Sequence, residues 1–226
     1  MENSKRKICA IIPARKEDDR VQNKNLLPFG DSTLIENKIN QLKKIRKLDD
    51  IVVSSDDDRI LKIAEEQGVN AIRRPEEYSK IDTPFGYYVE YICKMLSCDD
   101  ILWACCTSPF VDTDTYEHAI ELYYENLIEG YDSLITVRKL HRYIIDSNGP
   151  VNYRTGLNHK STNDLNDMFL HTNGIAIASR LNMIDWKYIL GKTPYLMEVN
   201  KKIGFDISDK FDYQLAIKIN EGTINE

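Results

Sequence analysis

Short apolar runs alternate with amphipathic segments along most of this chain, and that alternation is its strongest constraint on fold. Ile8-Cys9-Ala10-Ile11-Ile12-Pro13 is short enough for a buried strand and ends in proline. A helix follows over 33–46, with Leu34, Ile35, Ile39, Leu42 and Ile45 on one face. Ile51-Val52-Val53 is a second strand. A helix over 57–67 then places Ile60, Leu61 and Ala64 at helical spacing before Gly68, a suitable C-terminal cap. Further elements are predicted as a helix over 82–96, a buried strand over Ile101–Cys105, a long helix from Asp112 to Glu129 and a strand from Ser133 to Val137. This order implies βαβ units, hence an α/β fold with a mainly parallel, doubly wound sheet. Ligands of such sheets sit beyond the carboxyl ends of the strands. The segments that matter are therefore 13–25, 54–58, 106–112 and the acidic 206–212.

The rhythm breaks between 138 and 172. Residues 146–167 are rich in Asn, Asp, Ser, Thr and Gly with few apolar anchors, which reads as an insertion or arm on a single 1–226 domain. Such an arm closes over a substrate or exchanges with a second subunit to give a homodimer; a solvated loop has the same composition. Strand character returns at Gly174–Ala178. A helix near Leu181–Leu190, a short strand at Tyr195–Val199 and a last helix over 209–220 complete the pattern.

The net charge of −6 argues against general nucleic-acid binding. No apolar run approaches the ~20 residues of a membrane span. The basic start, Met1–Lys7, precedes an apolar run too short for a signal peptide, so the expectation is a cytoplasmic protein. The five cysteines form no Cys-x-x-Cys pair and read as buried, reduced thiols. His118, His141, His159 and His171 lack metal-ligand spacing.

Cations bunch where the first strand surfaces: Arg15, Lys16, Arg20 and Lys24. A triphosphate needs converging positive charge and backbone N–H groups. The competing reading is a solvated mixed-charge loop, since Glu17, Asp18 and Asp19 lie among them. Asp56-Asp57-Asp58 reads as helix capping, with Asp56 as the cap.

A set of ordered motifs resembles the cytidylyltransferases that activate acidic sugars, the acylneuraminate cytidylyltransferase family. They are Ile11-Ile12-Pro13-Ala14-Arg15, Asn23-Lys24-Asn25 with Pro28 and Leu34-Ile35, Ser54-Ser55-Asp56, Arg74-Pro75, Thr107-Ser108-Pro109-Phe110, Asn173-Gly174, and Phe205-Asp206-Ile207-Ser208-Asp209 through Tyr213. The resemblance implies a Rossmann-like sheet of the nucleotide-diphospho-sugar transferase type. It implies attack of an acceptor hydroxyl on the α-phosphorus of the co-substrate CTP, releasing pyrophosphate, with Mg²⁺ (or Mn²⁺). By the same resemblance Arg15 and Lys24 cover the developing pyrophosphate charge. Ala14, Lys16, Arg20, Asn25, Arg74, Thr107 and Ser108 join the nucleotide site. Arg74 has a second reading, a surface arginine paired with Glu76 or Glu77.

Asp206 is the leading metal ligand and Asp209 a second; a helix N-terminal acid is the other reading of Asp209. Asn173 and Lys160 are expected at the acidic small-molecule acceptor. The chain departs from the family pattern at Lys16–Arg20, where Gly and Ser are usual, and at Ser208, which replaces a second aspartate. These departures leave open a homologue that binds nucleotide without turnover, and the stretch His159–Leu165, which lacks the family's Arg-Gln pair, leaves open a phosphonate or phosphate acceptor.

Overall fold

The computed structural model describes residues 6–16 and 20–224; Glu17, Asp18 and Asp19 lie outside them. The elements run β1 (Ile8–Pro13), β2 (Pro28–Phe29), β3 (Ser32–Thr33), α1 (Leu34–Leu42), β4 (Asp50–Ser55), α2 (Asp58–Glu66), β5 (Asn70–Arg73), α3 (Phe85–Met95) and β6 (Asp100–Ala104). They continue as α4 (Thr113–Ile128), β7 (Ser133–Lys139), β8 (Ile145–Asp146), β9 (Gly149–Pro150), β10 (Phe169–Ser179), α5 (Arg180–Trp186), β11 (Pro194–Glu198) and α6 (Lys210–Asn220).

Seven strands form one sheet in the order β11-β7-β10-β6-β1-β4-β5. All neighbours pair in parallel except β10, which is antiparallel to both β6 and β7. Because side chains alternate along a strand, β1 feeds both faces. Ile8, Ala10 and Ile12 pack with α1, α2, α4 and α6 through Leu34, Ile39, Ile60, Tyr116 and Ala216. Cys9 and Ile11 pack with α3 and α5 through Val89, Ile92 and Met183. The doubly wound expectation holds.

Thr33 caps α1 in a capping box with Glu36. The cap of α2 is Asp57 rather than the expected Asp56; Asp57 accepts from the Arg59 amide, and Asp56 is left to face the first loop. β5 carries no sequence signal because it is a half-exposed edge strand. The break after β7 is shorter than 138–172: β7 extends to Lys139 and pairs with Phe169 and Leu170, so the irregular arm spans 140–168. No helix among the described residues is long and apolar enough to cross a membrane. Cys9, Cys93, Cys98, Cys105 and Cys106 are free thiols, and all but Cys105 are fully buried.

Candidate active site

The carboxyl ends of β1, β4, β5 and β6 and the start of β10 share one edge of the sheet. Beyond β1, the Ala14 amide donates to the Ser54 carbonyl at 2.9 Å, tying the first loop to β4. The Lys16 amide donates to Asp56 Oδ1 at 2.8 Å, and Asn25 Nδ2 donates to the Arg15 carbonyl at 3.0 Å. The loop is thus folded by its own polar groups, with the half-buried Arg15 at its root and the exposed Lys16 and Arg20 on its outer part.

Asn23 turns the chain with φ 52°, a left-handed conformation that Asn tolerates well. Its side-chain oxygen accepts from Arg59 Nη2 at 2.7 Å. This turn delivers Lys24 inward. Lys24 is only 5% exposed, and its Nζ donates to the Ile207 carbonyl at 3.5 Å.

Ile207 is held from a second side, since its amide donates to the Thr107 carbonyl at 2.8 Å. Its neighbour Asp206 therefore sits against the turn after β6. Asp206 Oδ2 is approached at 3.5 Å by both Asn173 Nδ2 and Ser208 Oγ. Asp206 Oδ1 is buried and has no hydrogen-bond partner among the described residues. An orphaned buried carboxylate oxygen is costly unless a donor or cation completes it.

Asn173 reaches this point through an irregularity in β10. The β10–β7 register shifts between His171 and Ala176, and Asn173 has φ 55°. Thr136 organises the bulge: its hydroxyl accepts from the Ile175 amide at 2.9 Å and from Thr172 Oγ1 at 2.8 Å. Gly174 lies in close approach: a Cβ there would sit 3.1 Å from both Thr136 Oγ1 and Val111 Cγ2, so these neighbours would have to shift to admit one.

Burial pushes the Cys105 thiol up to about 12, with nearby Asp206 adding to the shift and Lys38 and Lys24 opposing it. Cys105 is therefore a neutral thiol and not a nucleophile. Burial also lowers the pKa of His171, against the pull of Asp206, which favours a neutral imidazole; its Nε2 is buried without a hydrogen-bond partner among the described residues. Beside them a cavity of about 200 Å³ is walled by Phe85, Trp103 and Tyr188 and edged by Cys105, His171 and Asn173. The Phe85 ring meets Trp103 and Tyr188 edge-on, each at 5.7 Å.

Arg74 is not a surface partner of Glu76 or Glu77. It is 6% exposed, its guanidinium carbon lies 3.7 Å from the centre of the Tyr88 ring, and Nη2 donates to the Ser54 carbonyl at 3.2 Å. That carbonyl also receives the Ala14 amide, so Arg74 braces the root of the first loop from behind.

Two expected site residues lie apart from this cluster. Asp209 is the N-cap of α6: its carboxylate accepts from the Asp212 amide at 2.9 Å, and Asp212 reciprocates, so the helix-cap reading of this acid prevails. Lys160 is exposed on the arm; its carbonyl accepts from Tyr143, and it lines a cavity made only of arm residues. Among the described residues no group of three His, Cys, Asp or Glu is arranged to hold a metal. Asp206, with Asn173 and Ser208 beside it, still fits Mg²⁺, which takes one or two carboxylates and completes its shell with water and phosphate oxygens.

Lys38 is a residue that sequence reading passed over. It is fully buried on α1, and the signal was available: it falls four residues from both Leu34 and Leu42, on the apolar stripe.

The family description Cytidylyltransferase matches residues 9–166. The chain belongs to the cytidylyltransferase family. It is 28% identical over 95% of its length to N-acylneuraminate cytidylyltransferase of Escherichia coli O18:K1:H7, covering 52% of that protein. It is 28% identical over 53% of its length to pseudaminic acid cytidylyltransferase of Campylobacter jejuni, covering 54% of it. The chain thus spans about half the length of these two curated relatives. Its fold is similar to that of a CMP:2-keto-3-deoxy-manno-octonic acid synthetase solved in complex with CTP, with a TM-score of 0.72 at 10% identity over 96% of this chain and 100% of that one.

Proposed function

We propose that this cytidylyltransferase transfers CMP from CTP to an acidic sugar of the nonulosonic acid class and releases pyrophosphate. The observation that carries the reading is the meeting of Lys24 and the Asp206 segment at the carboxyl edge of the sheet, beside a small aromatic-walled cavity. The names of the curated relatives, which activate acylneuraminic and pseudaminic acids, support the acceptor class.

In this reading the acceptor hydroxyl attacks the α-phosphorus and forms the new P–O bond, its proton passes to water, and the bond to the pyrophosphate oxygen breaks, releasing pyrophosphate. Such transfer needs positioning and neutralised charge more than a protein nucleophile, which accords with the inert Cys105. Lys24 and Arg15 supply positive charge to the phosphates, and the Ala14–Lys16 backbone shapes the loop around them. Arg74 acts by bracing that loop. Asp206, with Asn173 and Ser208, would hold Mg²⁺ or Mn²⁺, which neutralises phosphate charge when bound. The cavity edged by Asn173 and His171 takes part of the acceptor; at about 200 Å³ it is smaller than the roughly 300–1,000 Å³ of pockets for whole drug-sized ligands.

The arm is the proposed dimer contact. Ile145, Val151 and Leu157 expose apolar side chains there, and a second copy of the chain would cover them. The free cysteines suit the reducing cytoplasm. The test is incubation with CTP, Mg²⁺ and a panel of nonulosonic acids, reading pyrophosphate and product mass. A CMP-sugar supports the reading; a CMP-phosphonate from a parallel phosphonate panel would replace the acceptor class. Absence of both, with no CTP binding by calorimetry, would sink it.

A further inference from the structure

Three consecutive carbonyls after β6 belong to one clamped turn, and the clamp is built from α1. Asn37 Nδ2 and Gln41 Nε2 donate to the Pro109 carbonyl at 3.2 and 2.7 Å. Between them Lys38 Nζ donates to the Ser108 carbonyl at 2.9 Å and to the Tyr116 hydroxyl at 2.8 Å. The next carbonyl back, that of Thr107, receives the Ile207 amide at 2.8 Å. A chain of direct bonds therefore runs from α1 through residues 107–109 to the segment that carries Asp206.

Lys38 is an expensive choice for this place. It has no solvent exposure, and its hydrogen-bond partners are a carbonyl and a phenol rather than a carboxylate. Burial pulls its pKa down to about 7, with Cys105 and Cys106 the nearby titrating groups. A methionine would fill the same apolar stripe without desolvating an amine, and buried charges are often replaced by apolar residues at no loss of stability. A residue that packing alone would not choose is a marker of function.

We propose that Lys38 is a positioning residue for nucleotidyl transfer, holding the Thr107–Pro109 turn so that the Ile207 amide, and with it Asp206, stays in register with Lys24. The inference rests on the function proposed above, and it concerns a residue that touches neither nucleotide nor acceptor.

The test compares Lys38→Met and Lys38→Gln with the unaltered chain. The methionine removes the donor; the glutamine amide restores one toward Ser108. Expected for Lys38→Met are a fall of tenfold or more in kcat for pyrophosphate release, no fall in melting temperature at pH 6, and at least tenfold faster amide exchange at Ile207. Lys38→Gln recovers part of both kcat and protection. Unchanged exchange at Ile207 overturns the inference whatever the activity. Activity that falls together with the melting temperature at pH 6 overturns it too, because the two mark a merely structural lysine. If the unaltered chain releases no pyrophosphate with any acceptor, the parent reading fails and the catalytic role of the clamp fails with it, while the exchange data still report whether the mechanical link exists.

Discussion

The Lys24 ammonium donates to the carbonyl oxygen of Ile207 at 3.5 Å, joining segments 183 residues apart in the chain. The bond brings the deeply buried cation of the first loop beside Asp206, the aspartate that begins the acidic segment. A charge held this way needs little reorganisation when phosphate arrives.

Replacing Lys24 by Met is therefore expected to lower kcat/KM for CTP by about 10²–10³, the usual cost of losing one preorganised charge or donor. Lys24→Arg should recover little, because a planar fork does not substitute for a point charge in so closed a position. Steady-state pyrophosphate release checks both, with circular dichroism as the control for folding.

Asp206→Asn should separate activity from stability. Asp206 Oδ1 is buried without a hydrogen-bond partner among the described residues. Removing its charge relieves an unfavourable burial, so the melting temperature should hold or rise while turnover falls by ~10²-fold or more. The Mg²⁺ concentration for half-maximal turnover should shift upward in a metal titration. A variant with normal turnover would exclude Asp206 from the reaction.

Lys38 gives a pH prediction with a definite sign. Its ordinary value of 10.5 falls to about 7 in the fold. Between those limits the unfolded chain holds a proton that the folded chain has released, so this residue makes stability rise with pH. Below about 7 both states are protonated, and the burial cost is fully present. Lys38→Met removes the dependence. Its stability relative to the unaltered chain should be most favourable near pH 6 and decline toward pH 10, by up to about 1.4 kcal/mol per pH unit at the steepest. Denaturant unfolding of both proteins across that range measures it.

Asp100 offers a purely structural test. Its buried carboxylate accepts from Arg6 Nε and Nη2 at 2.7 and 2.6 Å, from Tyr123 at 2.9 Å and from Tyr124 at 3.1 Å. Removing the cation leaves a buried charge with two phenols alone. Arg6→Met should cost about 1–2 kcal/mol in urea unfolding, since the arginine is itself half exposed, while KM for CTP stays unchanged because the pair lies at the opposite end of β6 from the site.

The continuous apolar run of β1, and the apolar stripes of α1 and α2, implied a buried sheet flanked by helices from the sequence alone. These are local patterns whose period is set by backbone geometry. The motifs at 13–25, 107–110 and 205–213 marked the carboxyl edge for the same reason: ligand loops follow strands. The reversed direction of β10 was not legible, because it depends on pairing with β6 and β7 across long separations. Nor was β5, whose Asn70-Ala71-Ile72-Arg73 lacks an apolar run because it is an edge.

Burial of long polar side chains divided the two levels most sharply. In the sequence Arg74 reads as a nucleotide-site residue or a surface arginine, and Lys38 as an ordinary helix lysine. Only packing put one against Tyr88 and the other against Ser108 and Tyr116. Likewise, Asp206 and Asp209 differ little as residues, yet one faces the edge cluster with an unpartnered oxygen and the other caps a helix. Composition and periodicity determine which surfaces must leave water, and so the fold class. Which charged groups are carried inward with those surfaces, and what they meet there, is decided by contacts between segments far apart in the chain.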